Sequence, residues 1–248
     1  MIIIFIGGAS GAGKSSLSRE LAKRLADTCQ LISMDDYFHP IPENYPLSVP
    51  DNYLPSEDRT TAMYKHFRAH TNFDHPDRFN FERLTLDLTQ LSQGEEIQKG
   101  IFDFTTNTYP THEIITPPKI LILEGLYALT FAATLDASLQ KLTVFTSTSS
   151  YQNLIKRRIQ RDIEKRGLTE AEVRSNEKKY VGPAFFGSRI ANDGPASIVN
   201  GLTGADVHIL NDKLSDIQAG ADEVLEALST LMAPTQNLSA AAASQCGL

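Results

Sequence analysis

The segment Gly8-Ala9-Ser10-Gly11-Ala12-Gly13-Lys14-Ser15 restricts what this chain can fold into more than any other. It fits the pattern G-x-x-x-x-G-K-[ST], and its flanks fit the same reading. Upstream, Met1-Ile2-Ile3-Ile4-Phe5-Ile6 is a short apolar run rich in β-branched residues, which predicts a buried strand. Downstream, Leu17, Leu21 and Leu25 recur at helical spacing, with Ala22 and Ala26 beside them. Strand, glycine-rich loop and helix together predict a phosphate cradle. Glycines let backbone N–H groups turn inward, and the helix N-terminus adds partial positive charge. Lys14 can reach the β- and γ-phosphates, and the Ser15 hydroxyl can ligate Mg²⁺. Gly8 through Ser16 are the expected nucleotide contacts. A glycine turn that binds nothing is the bland alternative, and the matched context argues against it.

The other segments alternate. Leu31-Ile32-Ser33, Lys119 to Leu123, Leu142 to Phe145 and Ala205 to Leu210 read as strands. Phe81 to Leu91 reads as a helix closed by Gly94, and Ser149 to Lys165, Thr169 to Tyr180 and Asp216 to Met232 read as further helices. Ile97 to Phe104 and Thr111 to Thr116 predict a β-hairpin or flap, about 97–116. Residues 39–59 hold Pro40, Pro42, Pro46, Pro50 and Pro55, which predicts a long irregular loop. Strands alternating with helices imply an α/β fold, a mostly parallel sheet flanked by helices. The expectation is one P-loop NTPase domain over residues 1–232, with the flap and a helical lid at about 157–182, followed by a poorly ordered tail at 233–248.

At 248 residues the chain is long enough for one large core. A net charge of −7 argues against broad nucleic-acid binding. Cys29 and Cys246 stand far apart, so no disulfide framework is implied, and a reducing, cytoplasmic setting is expected. The apolar N-terminal run lacks a basic region before it, and no run approaches the roughly 20 apolar residues of a membrane span.

In a parallel sheet, the C-terminal ends of the strands face the ligand crevice. Asp35 and Glu124 each follow an apolar strand and are expected there. Glu124 takes the position at which a carboxylate holds Mg²⁺ directly or through water. Asp35 suits a substrate hydroxyl, taking its proton or orienting it beside the metal, and is with Ser15 and Glu124 a candidate metal residue. Asp36 competes for that role, and spacing does not separate the two. Lys156, Arg157, Arg158, Arg161, Lys165 and Arg166 crowd one helix whose apolar stripe is Ile155, Ile159 and Ile163. Such a run is either a solvated face or a set of cations for a transferring phosphoryl group. Gly167 and the helix start at Thr169 favour a hinged lid.

These residues resemble the uridine kinase branch of the phosphoribulokinase/uridine kinase family. The matching segments are GGASGAGKSS at 7–16, ISMDDYF at 32–38, NFDHPDRF at 72–79, FDF at 102–104, ILEGLYA at 122–128, RRIQRDIEKRG at 157–167, YVGPAF at 180–185 and ADVHI at 205–209. The resemblance implies ATP- and Mg²⁺-dependent phosphorylation of a nucleoside 5′-hydroxyl. It implies Asp35 as base, Asp74 and Arg158 on the ribose hydroxyls, Phe73 against the base, and Arg161 and Arg166 as lid arginines. The family's hairpin reads Y-D-F-x-x-H-x-R; this chain has Phe102, Asn107 and Tyr109 at the changed positions, and Leu168 after the lid glycine. By position, Phe102 and Asn107 are the base-reading candidates. Family members form tetramers, so a homo-oligomer is compatible with the resemblance. Two other readings fit the residues: a kinase for another hydroxylated metabolite, such as nicotinamide riboside, pantothenate or a sugar phosphate, and a nucleotide-binding switch without an acceptor. His66, His70 and His75 invite a zinc reading, against which stands the absence of a nearby cysteine; His75 is expected to shape the turn before Pro76.

Overall fold

The computed structural model describes residues 1–43, Tyr45, 59–178 and 204–233. Most of the expected 39–59 loop, the YVGPAF segment and the tail lie outside these residues. Five strands form one parallel sheet: β1 (Ile2–Gly8), β2 (Cys29–Ser33), β5 (Ile120–Glu124), β6 (Lys141–Ser147) and β7 (Val207–Leu210), in the order β2-β5-β1-β6-β7. Alternation along each strand explains the layers. Ile3, Phe5, Leu121 and Leu123 pack on one face, while Ile2, Ile4, Ile6, Ile120 and Ile122 pack on the other. Because both faces are covered, the strands read as continuous apolar runs.

One face carries α1 (Lys14–Leu25) through Leu17 and Leu21, and the helix Leu214–Met232 through Ile217, Ala221 and Val224. The other carries α3 (Phe81–Ser92), α4 (Ala128–Thr134) and the inner side of an antiparallel hairpin, β3 (Ile97–Asp103) with β4 (Thr108–Ile115). Two helices escaped the sequence reading. The α4 segment is one short apolar stretch, and α2 (Arg59–His70) lies next to the proline-rich run. The register then sets the site. Glu124 pairs with Ile6 on one side and Ser33 on the other, so the ends of β1, β2 and β5 reach one edge together.

The cationic helix α5 (Tyr151–Arg166) ends at Gly167, whose φ of +62° is left-handed, and α6 (Glu170–Asn176) opens on a Thr169/Glu172 capping box. One expectation fails here. Leu154, Ile155 and Ile159 are buried, but Ile163 is 42% exposed. In the last turns of α5 the inward position belongs to Asp162, which collects arginines, so the apolar stripe stops early.

The C-terminal helix meets β7 at Gly220, where an added Cβ would lie 2.7 Å from Ile209 Cγ2. Gly220→Val therefore overpacks this contact. It is expected to lower stability by about 1–3 kcal/mol, read as a reduced urea midpoint at unchanged slope.

Candidate active site

The phosphate loop spans the turn from β1 into α1. Gly8, Gly11 and Gly13 take φ values of +142°, +89° and +100°. At Gly13 a Cβ would stand 1.9 Å from Asn211 Nδ2, which instead donates to the Ala12 carbonyl at 2.8 Å. Ala9 and Ala12 are buried beneath the loop. Lys14 Nζ donates to the Ala9 carbonyl at 3.1 Å, so the ammonium is held inside the loop's curve. Burial lowers its pKa, opposed by Glu124 and Asp35. Ser10, Lys14 and Ser15 line a crevice of about 50 Å³ together with Asp35, Phe73, Asp74, Glu124, Arg161 and Arg166. Ser16 stands beyond this lining: its N–H bonds the Gly13 carbonyl and its side chain is exposed.

The two strand-end acids have different surroundings. Glu124 is buried and accepts from Ser15 Oγ at 2.9 Å and Ser33 Oγ at 3.1 Å. Burial pushes its pKa up, partly offset by Lys14. Asp35 is the second residue of a 3₁₀ turn, Met34–Tyr37, with its N–H on Ser33 Oγ at 3.3 Å. Its carboxylate is 40% exposed and 3.3 Å from Arg166 Nη2. Asp36, which spacing could not separate from Asp35, is taken up elsewhere: it pairs with Lys99 at 2.5 Å and accepts from the Phe102 N–H at 3.2 Å. Ser15 and Glu124 offer hard oxygen donors, which suit Mg²⁺. Among the described residues no group of three or more His, Cys, Asp or Glu could cage a metal. A cation at Ser15 and Glu124 has to complete its shell from phosphate and water, as Mg²⁺ ordinarily does.

Half-buried Asp74 and buried Arg158 form a pair at 2.7 Å. The backbone holds Asp74 in place: its N–H bonds Asn72 Oδ1 at 3.0 Å and its carbonyl accepts from Tyr127 Oη at 2.5 Å. Burial alone would raise the Asp74 pKa, but Arg158, then Arg166 and Arg161, hold it below the usual carboxylate range. Burial likewise opposes the charge on Arg158, yet Asp74 and Glu177 outweigh it and raise its pKa. Arg161 and Arg166 also reach Asp162, at 2.7 and 3.5 Å. Burial, with Arg161 beside it, brings the Arg166 pKa down to about 10. Its guanidinium stacks 3.7 Å from the Phe104 ring centroid. Solvated-face chemistry thus describes Lys156 and Lys165, which are exposed, and not Arg158, Arg161 and Arg166.

Phe73 lines the crevice, but Phe102 and Asn107 do not. Phe102 is buried on the inner side of the hairpin, packed against Phe38, Phe104 and Tyr109 at 5.2–5.4 Å. Asn107 closes the hairpin with φ +56°, gives its carbonyl to the Ile41 N–H, and is fully buried, its side-chain amide without a hydrogen-bond partner among the described residues. Tyr109 donates its hydroxyl to the Phe38 carbonyl. The histidines have other work. His66 bonds Tyr45 Oη, His70 bonds the His66 carbonyl, and His75 caps the Pro76–Arg78 turn through the Asp77 N–H. Sequence reading missed Asp162, Glu177 and Ser33. Asp162 had a signal: it lies four residues from both Arg158 and Arg166, which puts all three on one helical face.

The Asp74–Arg158 pair fixes a pH dependence. Asp74 is held low in the folded chain, so its contribution is complete above the ordinary value of 3.8 and is lost as pH falls through the lower folded value. Arg158→Met leaves Asp74, Asp162 and Glu177 without their shared cation. It is expected to cost about 3–5 kcal/mol at neutral pH and to flatten the acid limb below about pH 4, measured as urea midpoints across pH 3–7.

The family model "Phosphoribulokinase / Uridine kinase family" matches residues 3–186. A protein named uridine kinase from Ligilactobacillus salivarius is 31% identical over 74% of this chain and 77% of its own length. Another, from Alkaliphilus metalliredigens, is 33% identical over 74% of this chain and 79% of its own. Among solved structures, a provisionally named fructose transport system kinase from Silicibacter sp. TM1040 aligns with a TM-score of 0.51 at 17% identity, covering 84% of this chain and 88% of that one, which speaks to the fold. With its phosphate loop, strand-end acids and arginine helix in this one arrangement, the chain belongs to the phosphoribulokinase/uridine kinase family.

Proposed function

We propose that this chain is an ATP-dependent kinase that phosphorylates the 5′-hydroxyl of a ribonucleoside of the uridine or cytidine type, in the cytoplasm. The observation that carries this reading is the position of Asp35. It lies in the same crevice as the phosphate-loop residues Lys14 and Ser15 and as Asp74, whose carboxylate pairs with Arg158 outside that lining. A donor phosphate and an acceptor hydroxyl can therefore meet at one carboxylate. The names of the relatives support a nucleoside acceptor.

In this reading the loop amides from Gly8 to Ser16 and Lys14 hold the ATP phosphates, and the loop fixes the donor's position. Ser15 and Glu124 hold Mg²⁺, which when bound offsets charge on the phosphate oxygens. Asp35 accepts the proton of the attacking hydroxyl. Asp74 and Arg158 hold the 2′- and 3′-hydroxyls: a carboxylate accepts and a guanidinium donates, so a vicinal diol satisfies both. Phe73 packs on the base. Arg161 and Arg166 stabilise charge on the transferring group. Residues 1–232 act as one kinase domain, with the hairpin as flap and α5–α6 as lid.

The lowered Arg166 pKa is informative. This guanidinium gives up solvation beside Arg161, and its two carboxylate contacts, Asp35 at 3.3 Å and Asp162 at 3.5 Å, are long. A nucleotide that binds the folded chain alone is expected to raise the melting temperature. Asp35→Asn should retain ATP-analogue binding and lose transfer to uridine by about 10²–10⁴-fold, followed as acceptor-stimulated ADP formation. Retained turnover removes Asp35 from the chemistry.

A further inference from the structure

Lys99 is a buried ammonium that the reaction scheme does not use. It projects from the inner side of β3, with its side chain 2% exposed, and meets Asp36 at 2.5 Å and Glu113 at 2.7 Å. Glu113 is its cross-strand partner on β4. Asp36 is the residue after Asp35, in the same 3₁₀ turn. The hairpin register breaks between Ile101 and Asp103. That irregularity takes Phe102 out of the β3–β4 ladder, and its N–H goes to Asp36 Oδ1 at 3.2 Å. Both oxygens of Asp36 are thus committed to the hairpin, one to Lys99 and one to Phe102.

The connection continues to the reacting groups. Two residues beyond Phe102, the Phe104 ring lies under the Arg166 guanidinium at 3.7 Å, and Arg166 returns to Asp35 at 3.3 Å. The turn carrying Asp35 and the hairpin carrying Phe104 are therefore joined through Asp36 and through Arg166, beside the packing of Phe38, which follows the turn, on Phe102 and Phe104. The first joint centres on one buried charge, Lys99, held between the partly exposed carboxylates of Asp36 and Glu113. An ammonium between two carboxylates has no low-energy alternative once desolvated, so it fixes geometry even where its net contribution to stability is small. Lys99 touches no residue of the crevice lining through these contacts; what it fixes is the distance between the Asp35 turn and the flap.

We propose that Lys99 is a positioning residue for phosphoryl transfer: through Asp36 it locks the flap to the turn that carries Asp35, and so sets the acceptor side of the site while leaving the nucleotide side alone. The proposal rests on the kinase reading above. A hydroxyl displaced by about 1 Å from its attacking position can cost on the order of 100-fold in rate. Lys99→Met is thus expected to lower kcat/KM for the ribonucleoside by about 100-fold with ATP-analogue binding unchanged, and to speed amide hydrogen exchange in residues 97–104. Lys99→Arg, which keeps the cation, should restore most of both. Because Lys99→Met strands Asp36, the double variant Asp36→Asn/Lys99→Met is tested in parallel; it removes both charges and should show the same acceptor defect in a folded chain. The proposal is overturned if folded Lys99→Met or the double variant keeps kcat/KM within about twofold of wild type, or if exchange over 97–104 is unaltered. A wild-type chain that phosphorylates no ribonucleoside overturns the kinase reading instead, and exchange over 97–104 still decides whether Lys99 holds the flap.

Discussion

Parallel pairing aligns strand ends, and in this chain that alignment sets where the phosphate loop, Glu124 and the Asp35 turn stand. Glu124 is in register with Ile6 and Ser33, so the phosphate loop, the strand-end carboxylate and the turn bearing Asp35 leave the sheet at one edge. A shift by one residue would turn Ile3, Phe5, Leu121 and Leu123 toward the wrong layer, where α1 and the C-terminal helix already pack. The apolar core thus enforces the catalytic register. It follows that substitutions deep in β1 or β5 act on the site as well as on stability.

The second constraint is electrostatic. Asp162 is buried and gathers Arg158, Arg161 and Arg166 on one side of α5. This carboxylate shares itself among more positive charge than it can neutralise, and Asp74, Glu177 and Asp35 each take part of the remainder. Four carboxylates thus answer three guanidiniums, so the cluster carries no excess positive charge; its ion pairs fix where the three arginines stand. Lys14, desolvated within the loop, belongs to the same field.

Much of this was legible in the sequence, for reasons particular to each element. The phosphate loop was readable because its chemistry needs fixed residue types at fixed spacing. Asp35 and Glu124 were readable because apolar runs mark strand ends. Asp74 with Arg158 came from family resemblance alone, since the partners stand 84 residues apart and no local periodicity links them. The choice between Asp35 and Asp36 needed the hairpin, because what distinguishes them is Lys99 and the Phe102 amide. Helix α2 was missed beside a proline-rich run. Phe102 and Asn107 were expected at the acceptor by position; their burial within the hairpin reflects ring packing and a left-handed turn that spacing does not report.

The central claim is that Asp35 meets a hydroxyl held by the Asp74–Arg158 pair, at the end of the phosphate loop. Its most direct test is the position of the phosphate in the product, read by phosphorus NMR and mass spectrometry after incubating the chain with ATP, Mg²⁺ and uridine or cytidine. The account predicts a nucleoside 5′-monophosphate, formed in proportion to ADP. Phosphate on the 2′- or 3′-oxygen, or ATP hydrolysis with no phosphorylated nucleoside, would contradict it.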